Sequence, residues 1–308
     1  MILCVTPNPA IDRTILLPNL VLGRVHRAQK TIVVAGGKGL NVARTIQRLG
    51  RHPFCMGFAG GHSGRLLADL AHSEGLEAAW TWTRAETRTC TILVSESKDA
   101  TVINEPGMPV SSMDWKQLRE DVNREQAEAR LVCISGSLPP NSSNEDFQVL
   151  LNKLVETGKQ VWVDTSGTAL KTVLQYPQLC IKVNGFEMGE ALGIHIDDLP
   201  SAEKALDVLG EHAPIVCLIT LGSKGALLAT RTERWLARGP QIRVVSTVGS
   251  GDAFLGGLVT ALDRGDAWAD ALRNGVAAGS ANALSPGGGR FASQDFHRIY
   301  EEIQIQSR

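Results

Sequence analysis

The densest chemistry in the chain lies in Ser246-Thr-Val-Gly249-Ser250-Gly251-Asp252-Ala-Phe-Leu-Gly256-Gly257, a glycine-rich turn feeding directly into an apolar helical stretch. Glycines let the backbone approach a bound group, and the unpaired amides of a first helical turn make a cradle for an anion such as phosphate. Asp252 falls in that same turn, where the helix dipole favours a charged carboxylate, so a proton acceptor and a row of N–H donors stand side by side. Alone, the run is equally that of a tight turn whose aspartate caps a helix.

Three other clusters add polar groups to glycine turns. Ala35-Gly36-Gly37-Lys38-Gly39-Leu-Asn41 opens a helix and holds an ammonium and an amide where a polar small molecule could sit, or is a glycine turn with a solvated lysine. It is neither a GxxxxGK[ST] phosphate loop nor the dinucleotide fingerprint, whose last glycine would fall at Val42. Lys182-Val-Asn184-Gly-Phe-Glu187 sets a cation, an amide and a carboxylate at a spacing that suits a nucleotide phosphate and a hydrated magnesium ion; a helix N-terminus rich in glutamate reads the same way. Thr220-Leu-Gly222-Ser-Lys-Gly225-Ala joins two apolar runs, either as a turn against which a nucleotide lies or as a plain hairpin.

Short β-rich runs alternating with amphipathic stretches must position these groups, the pattern of parallel strands with helical crossovers in an α/β sandwich. Strands are expected at Ile2–Thr6, Phe54–Ala59, Leu131–Ser135, Gln160–Asp164, Cys180–Val183 and Ile215–Thr220. Helices are expected at Gly39–Leu49, Arg65–Ser73, Met113–Ala129, Glu145–Thr157, Ala202–Glu211, Gly251–Arg264, Trp268–Leu284 and Ser293–Ile303. Two stretches break the alternation, at about 11–34 and 87–104, the second reading as a hairpin, and together they are expected to form a small β-sheet lid over a crevice at the strand ends.

With 308 residues, 43% hydrophobic, 20% charged and a net charge of −1, the chain is expected to be one globular unit without a field that gathers nucleic acid or anionic membrane. Without a leader-like start or a long apolar span it is expected in the cytoplasm, with six cysteines reduced and no zinc-ligand spacing.

The four clusters in this order, with Asp12 in Asn8-Pro-Ala-Ile-Asp12, Thr87-Arg88-Thr89-Cys90 and Ser135-Gly-Ser137-Leu-Pro139, resemble the PfkB carbohydrate kinase family over essentially the whole chain. Within it the likeness is greatest to the branch of 1-phosphofructokinase, tagatose-6-phosphate kinase and phosphofructokinase-2. The resemblance implies a ribokinase-like three-layer α/β/α sandwich with a β-sheet lid, ATP and Mg2+ as cofactors, and phosphorylation of a ketohexose phosphate, fructose 1-phosphate slightly ahead of tagatose 6-phosphate and fructose 6-phosphate. It implies Asp252 as the base, and the amides of Gly249, Ser250 and Gly251 as the anion hole. Asp12, Gly36, Gly37, Lys38 and Asn41 would hold the sugar, and Arg88, with Arg24 or Arg27 and Ser137, its phosphate. Lys182, Asn184 and Glu187 fall to the nucleotide phosphates and, through water, magnesium; Thr220, Gly222 and Gly225 fall beside the nucleotide. Ser246 stands where many members have Asp and Ser250 where Ala is commoner, which leaves open what supports the anion-hole turn. A homodimer through the lid strands is expected. An unphosphorylated sugar or nucleoside acceptor, or a non-catalytic sensor, are the alternative readings.

Overall fold

The central strands of the main sheet are apolar on both faces, because helices cover both. In Ile2–Thr6, Ile2 and Cys4 face one core and Leu3 and Val5 the other, the period of two that a pleated strand imposes. The computed structural model describes residues 1–95, 98–210 and 213–308, and the side chains of all of these except 98 and 99. Its strands are β1 (Ile2–Thr6), β2 (Ala10–Leu17), β3 (Lys30–Gly36), β4 (Pro53–Gly60), β5 (Glu77–Thr83), β6 (Arg88–Ser95), β7 (Lys98–Asn104), β8 (Leu131–Ser135), β9 (Gln160–Asp164), β10 (Cys180–Asn184), β11 (Val216–Thr220), β12 (Ala226–Thr230), β13 (Arg234–Arg238) and β14 (Gln304–Ser307). The helices are α1 (Lys38–Arg48), α2 (Gly61–Ser73), α3 (Ser112–Glu125), α4 (Asn144–Val155), α5 (Gly167–Val173), α6 (Gly185–Leu192), α7 (Leu199–Leu209), α8 (Ser250–Arg264), α9 (Trp268–Asn282) and α10 (Ser293–Glu302).

A ten-stranded sheet runs in the order β14-β13-β12-β11-β10-β9-β8-β1-β4-β5. From β5 to β11 the neighbours are parallel, and β12, β13 and β14 close one side antiparallel. One face carries the apolar sides of α1, α2, α8, α9 and α10, the other those of α3 to α7, which makes the expected three-layer sandwich. Chain order reverses at β1: β4 and β5 follow on one side, β8 to β11 on the other. A crevice opens at such a switch point, at the carboxyl ends of the strands.

A second sheet, in the order β3-β2-β6-β7, is built from the two stretches that lack helical period. Its β6 and β7 form the expected hairpin, and β2 lies parallel to β6. The root of this sheet is fastened to the main body. Glu86 accepts the His62 and Ser63 amides at the start of α2, and those bonds hold its carboxyl down at about 2. Thr87 exchanges bonds with Gly60.

Helix ends differ from the sequence reading by a residue or a turn. Helix α2 starts four residues before Arg65, at Gly61, because the Glu86 carboxylate from another segment caps it. Helix α3 gives way after Glu125 to a 3-10 turn over Gln126–Glu128. The expected end of α7 at Glu211, and residues 96 and 97 within the expected lid, lie outside the described residues. The six cysteines are free and buried. Among the described residues no helix is long and apolar enough to cross a membrane, and no cluster of His, Cys, Asp and Glu is arranged to hold a metal ion.

Candidate active site

Both glycine clusters end at the same crevice. Gly249, at φ 74°, turns the chain into α8, a left-handed conformation that glycine tolerates. Three residues on, Asp252 is buried. Helix α1 opens with Lys38 directly after Gly37, and Asn41 one turn later donates its Nδ2 to Asp252 Oδ2 at 2.8 Å. Gly251 faces Lys182: a Cβ there would lie 2.6 Å from Nζ, so a side chain at 251 would have to displace the ammonium.

Charge is concentrated around Asp164, the last residue of β9 and fully buried. Lys38 Nζ donates to its Oδ1 at 2.8 Å and Lys182 Nζ to its Oδ2 at 2.7 Å. Burial alone would raise this carboxyl, but Lys182 and Lys38 outweigh it and hold it well below the ordinary range. Burial also works against the Lys38 ammonium, and Asp164, Glu187 and Asp252 overturn that and raise it. Asp252 goes the other way: burial pushes its carboxyl up, Asp164 adds to this, and Lys38, Lys182 and the Asn41 amide oppose it. The result is a carboxylate that takes up a proton more readily than a free aspartate, flanked by ammonium groups and helix-terminal amides. That is the equipment of a proton acceptor beside an anion cradle.

Asp12, half-buried on β2, faces the same space, with its carboxyl against Gly36. Burial pushes it up to about 6; Arg44 pulls it down, Asp252 adds to the rise, and Arg88 and a bond from the Gly37 amide pull down. Arg88 donates to the backbone oxygens of Asn8 (3.1 Å) and Glu105 (3.4 Å), and Asn8 Nδ2 donates to Ser137 Oγ at 3.1 Å. Arg88 is thereby joined to Ser137 from the far side of the crevice.

The third cluster divides its work. Asn184 caps α6 by accepting the Glu187 amide, and Glu187 Oε2 accepts the Asn184 amide in return, so both serve a capping box. Glu187 Oε1 accepts from Lys38 at 3.4 Å, which ties the cap to the charge cluster. Thr220 ends β11, and Gly222 and Gly225 lie on its connection to β12, where the Leu221 amide donates to the Gly225 oxygen at 2.8 Å. Arg24 and Arg27 are both exposed on the connection from β2 to β3, without a hydrogen bond or ion pair to another site residue among the described residues.

Ser246 answers the question that its departure from Asp raises. It is buried, and its Oγ accepts the Val248 amide at 3.3 Å, bracing the turn without a charge. Asn282 adds to this, donating to Val248 O and Ser250 Oγ and accepting the Gly289 amide.

Sequence reasoning missed Asp164, Arg44, Glu74 and Asn282. For Asp164 a signal exists, since β9 and β10 pair with Val163 beside Ile181, so their last charged residues, Asp164 and Lys182, are lateral neighbours. Also missed are buried polar atoms at the same strand ends without a hydrogen-bond partner among the described residues: Thr6 Oγ1, Asn8 Oδ1, Ser135 Oγ and Thr165 Oγ1. Buried unpaired groups are costly, and a polar ligand at these strand ends would satisfy these four.

The family model of the pfkB family carbohydrate kinases matches residues 6–295. The chain is 34% identical to a 1-phosphofructokinase of Haloferax volcanii over 278 residues, covering 90% of this chain and 88% of that protein. It is 26% identical to a tagatose-6-phosphate kinase of Staphylococcus epidermidis over 308 residues, 99% of each. A structure of phosphofructokinase-2 from Escherichia coli in complex with fructose-6-phosphate superposes with a TM-score of 0.89 at 26% identity, covering 97% of this chain and 98% of that one.

Proposed function

The chain belongs to the pfkB family of carbohydrate kinases, and from that premise we propose that it moves the γ-phosphoryl group of ATP onto a hydroxyl of a ketohexose phosphate, giving a ketohexose bisphosphate and ADP. Fructose 1-phosphate comes first among the acceptors, supported by the 34% identical relative, followed by tagatose 6-phosphate and fructose 6-phosphate. One observation carries the reading: Asn41 of the first glycine cluster touches Asp252 of the last across 211 residues of chain, so two ligands held by the two clusters meet at one carboxylate.

Asp252 accepts the proton of the attacking hydroxyl as its oxygen bonds to the γ-phosphorus and the bond from phosphorus to the ADP oxygen breaks. The amides of Gly249, Ser250 and Gly251 stabilise the charge spread over the transferring group's oxygens. Asp12, Gly36, Gly37, Lys38 and Asn41 hold the sugar, and Arg88 with Ser137 its phosphate, to which Arg24 and Arg27 belong once the lid is closed. Lys182, Asn184 and Glu187 face the nucleotide phosphates, and Thr220, Gly222 and Gly225 the rest of the nucleotide.

A nucleotide with magnesium fits these residues. Ser135 Oγ and Thr165 Oγ1 are buried hydroxyl oxygens without a hydrogen-bond partner among the described residues, and the Lys182 ammonium lies close against Gly251 at the start of α8. Magnesium neutralises phosphate charge when bound, and Glu187 would hold it through water.

The whole chain acts as one unit, with its lid drawn from about 11–34 and 87–104. The exposed Val21 (45%), Leu22 (92%), Val25 (93%) and Ile103 (54%) on that lid support a homodimer closed through it. The test is a panel of fructose 1-phosphate, tagatose 6-phosphate, fructose 6-phosphate and free hexoses with ATP and Mg2+, read by ADP release. Turnover of a ketohexose phosphate well above that of free sugars is expected. Preference for a free sugar or nucleoside overturns the proposal.

A further inference from the structure

Arg44 is buried, and its guanidinium is saturated. Nε donates to Glu74 Oε2 at 2.6 Å; Nη1 donates to Asn41 Oδ1 at 2.9 Å and to Gly288 O at 2.8 Å; Nη2 donates to Ala35 O at 2.7 Å and to Glu74 Oε1 at 3.2 Å. These bonds use all of the N–H groups a guanidinium has. Glu74, which also accepts the Ala35 amide and Arg290 Nη2, supplies the countercharge. One side chain thus fastens the strand leading into the first glycine cluster, the helix that carries Asn41, and the loop containing Gly288.

Two of those contacts bear on the reaction. A guanidinium can only donate, so the Asn41 oxygen must face Arg44 and the Asn41 NH2 must face Asp252. The opposite orientation would set donor against donor and the amide oxygen against a carboxylate. Gly288 is wedged between Asn41 and the anion-hole turn. A Cβ on Gly288 would lie 2.4 Å from the Asn41 side chain, and one on Gly249 would lie 2.4 Å from the Gly288 Cα.

We infer that Arg44 is a positioning residue for phosphoryl transfer: it dictates which end of the Asn41 amide meets Asp252, and it pins the Gly288 carbonyl so that the loop backs the Gly249 turn. The inference rests on the function proposed above. Arg44 touches neither ligand; it acts through Asn41 and Gly288.

The groups facing Asp252 are Asn41 and Lys38 from α1, Asp164 from β9, Lys182 from β10 and Asp12 from β2. When Asn41 turns away, the burial of Asp252 and the charges of Asp164 and Asp12 are less opposed. Asp252 then holds its proton to higher pH. The acid limb of the kcat profile moves up with it.

The experiment compares Arg44→Lys with the unmodified chain. A lysine keeps the charge for Glu74, but from a single nitrogen it cannot also reach Asn41, Gly288 and Ala35. The expected result is a kcat lower by about 100-fold, the scale of a small misplacement of reacting groups, with KM for ATP little changed and the acid limb moved to higher pH. An unmoved limb with kcat restored by lysine would overturn the inference, since packing and charge alone would then suffice. Should Arg44→Lys fail to fold, Glu74→Gln loosens the same guanidinium and is expected to move the limb in the same direction; no movement overturns the inference. A crystal structure of the variant provides a readout independent of turnover. Asn41 rotated away from Asp252 with Gly288 displaced is expected, and both in place refutes it. Absence of turnover in the unmodified chain would count against the proposed function, whereas the ratio of variant to unmodified chain, or the variant structure, tests Arg44.

Discussion

Replacing Asp12 by asparagine sets stability against binding in one side chain. The Asp12 carboxyl titrates at about 6 in the fold against an ordinary 3.8, chiefly because burial penalises its charge. At about 1.4 kcal/mol per pH unit, that gap makes the charged form cost the fold about 3 kcal/mol at neutral pH. Because the folded value lies above the unfolded one, the cost accumulates as pH rises from about 4 to 6 and is complete above that window. A neutral amide in the same place carries no such cost. Asp12→Asn is therefore expected to be more stable at pH 7.5, by up to about 3 kcal/mol or on the order of 5 °C in melting temperature, with the advantage shrinking below about 1 kcal/mol near pH 4. The same change removes the charged acceptor proposed for the sugar hydroxyls, a bond of about 1.5–3 kcal/mol, so KM for the sugar phosphate should rise roughly 10- to 150-fold. Thermal melts at pH 4, 5.5 and 7.5 and a coupled ADP assay read the two effects. A variant equally stable at every pH would refute the burial argument, and an unchanged KM would remove Asp12 from the sugar.

Asp252→Asn should lower kcat by roughly 10² to 10⁴, the range for loss of a general base, with the fold intact by circular dichroism; near-normal turnover would refute the role. Arg88→Ala should raise KM for the sugar phosphate far more than KM for ATP, and equal effects would take Arg88 out of the sugar site. Asp164→Asn leaves Lys38 and the buried Lys182 sharing a neutral partner, so a loss of about 3–5 kcal/mol in denaturant unfolding is expected. A midpoint like that of the unmodified chain would show the lysines to be solvated instead.

What the sequence made legible was local. The first and last glycine clusters each announce a turn and a helix, and the runs of Val, Ile and Leu announce buried strands, so the layers and the carboxyl-end crevice follow from short windows. Asp164 is different in kind: at the end of Val161-Trp-Val it looks like any aspartate opening a loop, and it gains its role only when strand register sets Lys182 beside it and Lys38 arrives from α1. Arg44 shares a helix face with Asn41, yet its partners Glu74 and Gly288 come from segments that no window links to it. Arg24 and Arg27 show the converse. Their charge invites a phosphate contact, but nothing local fixes how far from the crevice their connection carries them.

The hydrogen bond between Asn41 and Asp252 also orders events during translation. A ribosome adding about 5–20 residues per second delivers the second partner roughly 10 to 40 s after the first, given the 211 residues between them. Before that moment the emerging polypeptide can collapse around β1 and β4 and display the first glycine cluster, yet it lacks Asp252, the base proposed to take the proton. Gly288, which Arg44 holds, is made later still. On the proposed function, competence for phosphoryl transfer therefore arrives with the last part of synthesis, and a ribosome that stalls midway is expected to leave behind an inert fragment rather than a wasteful one.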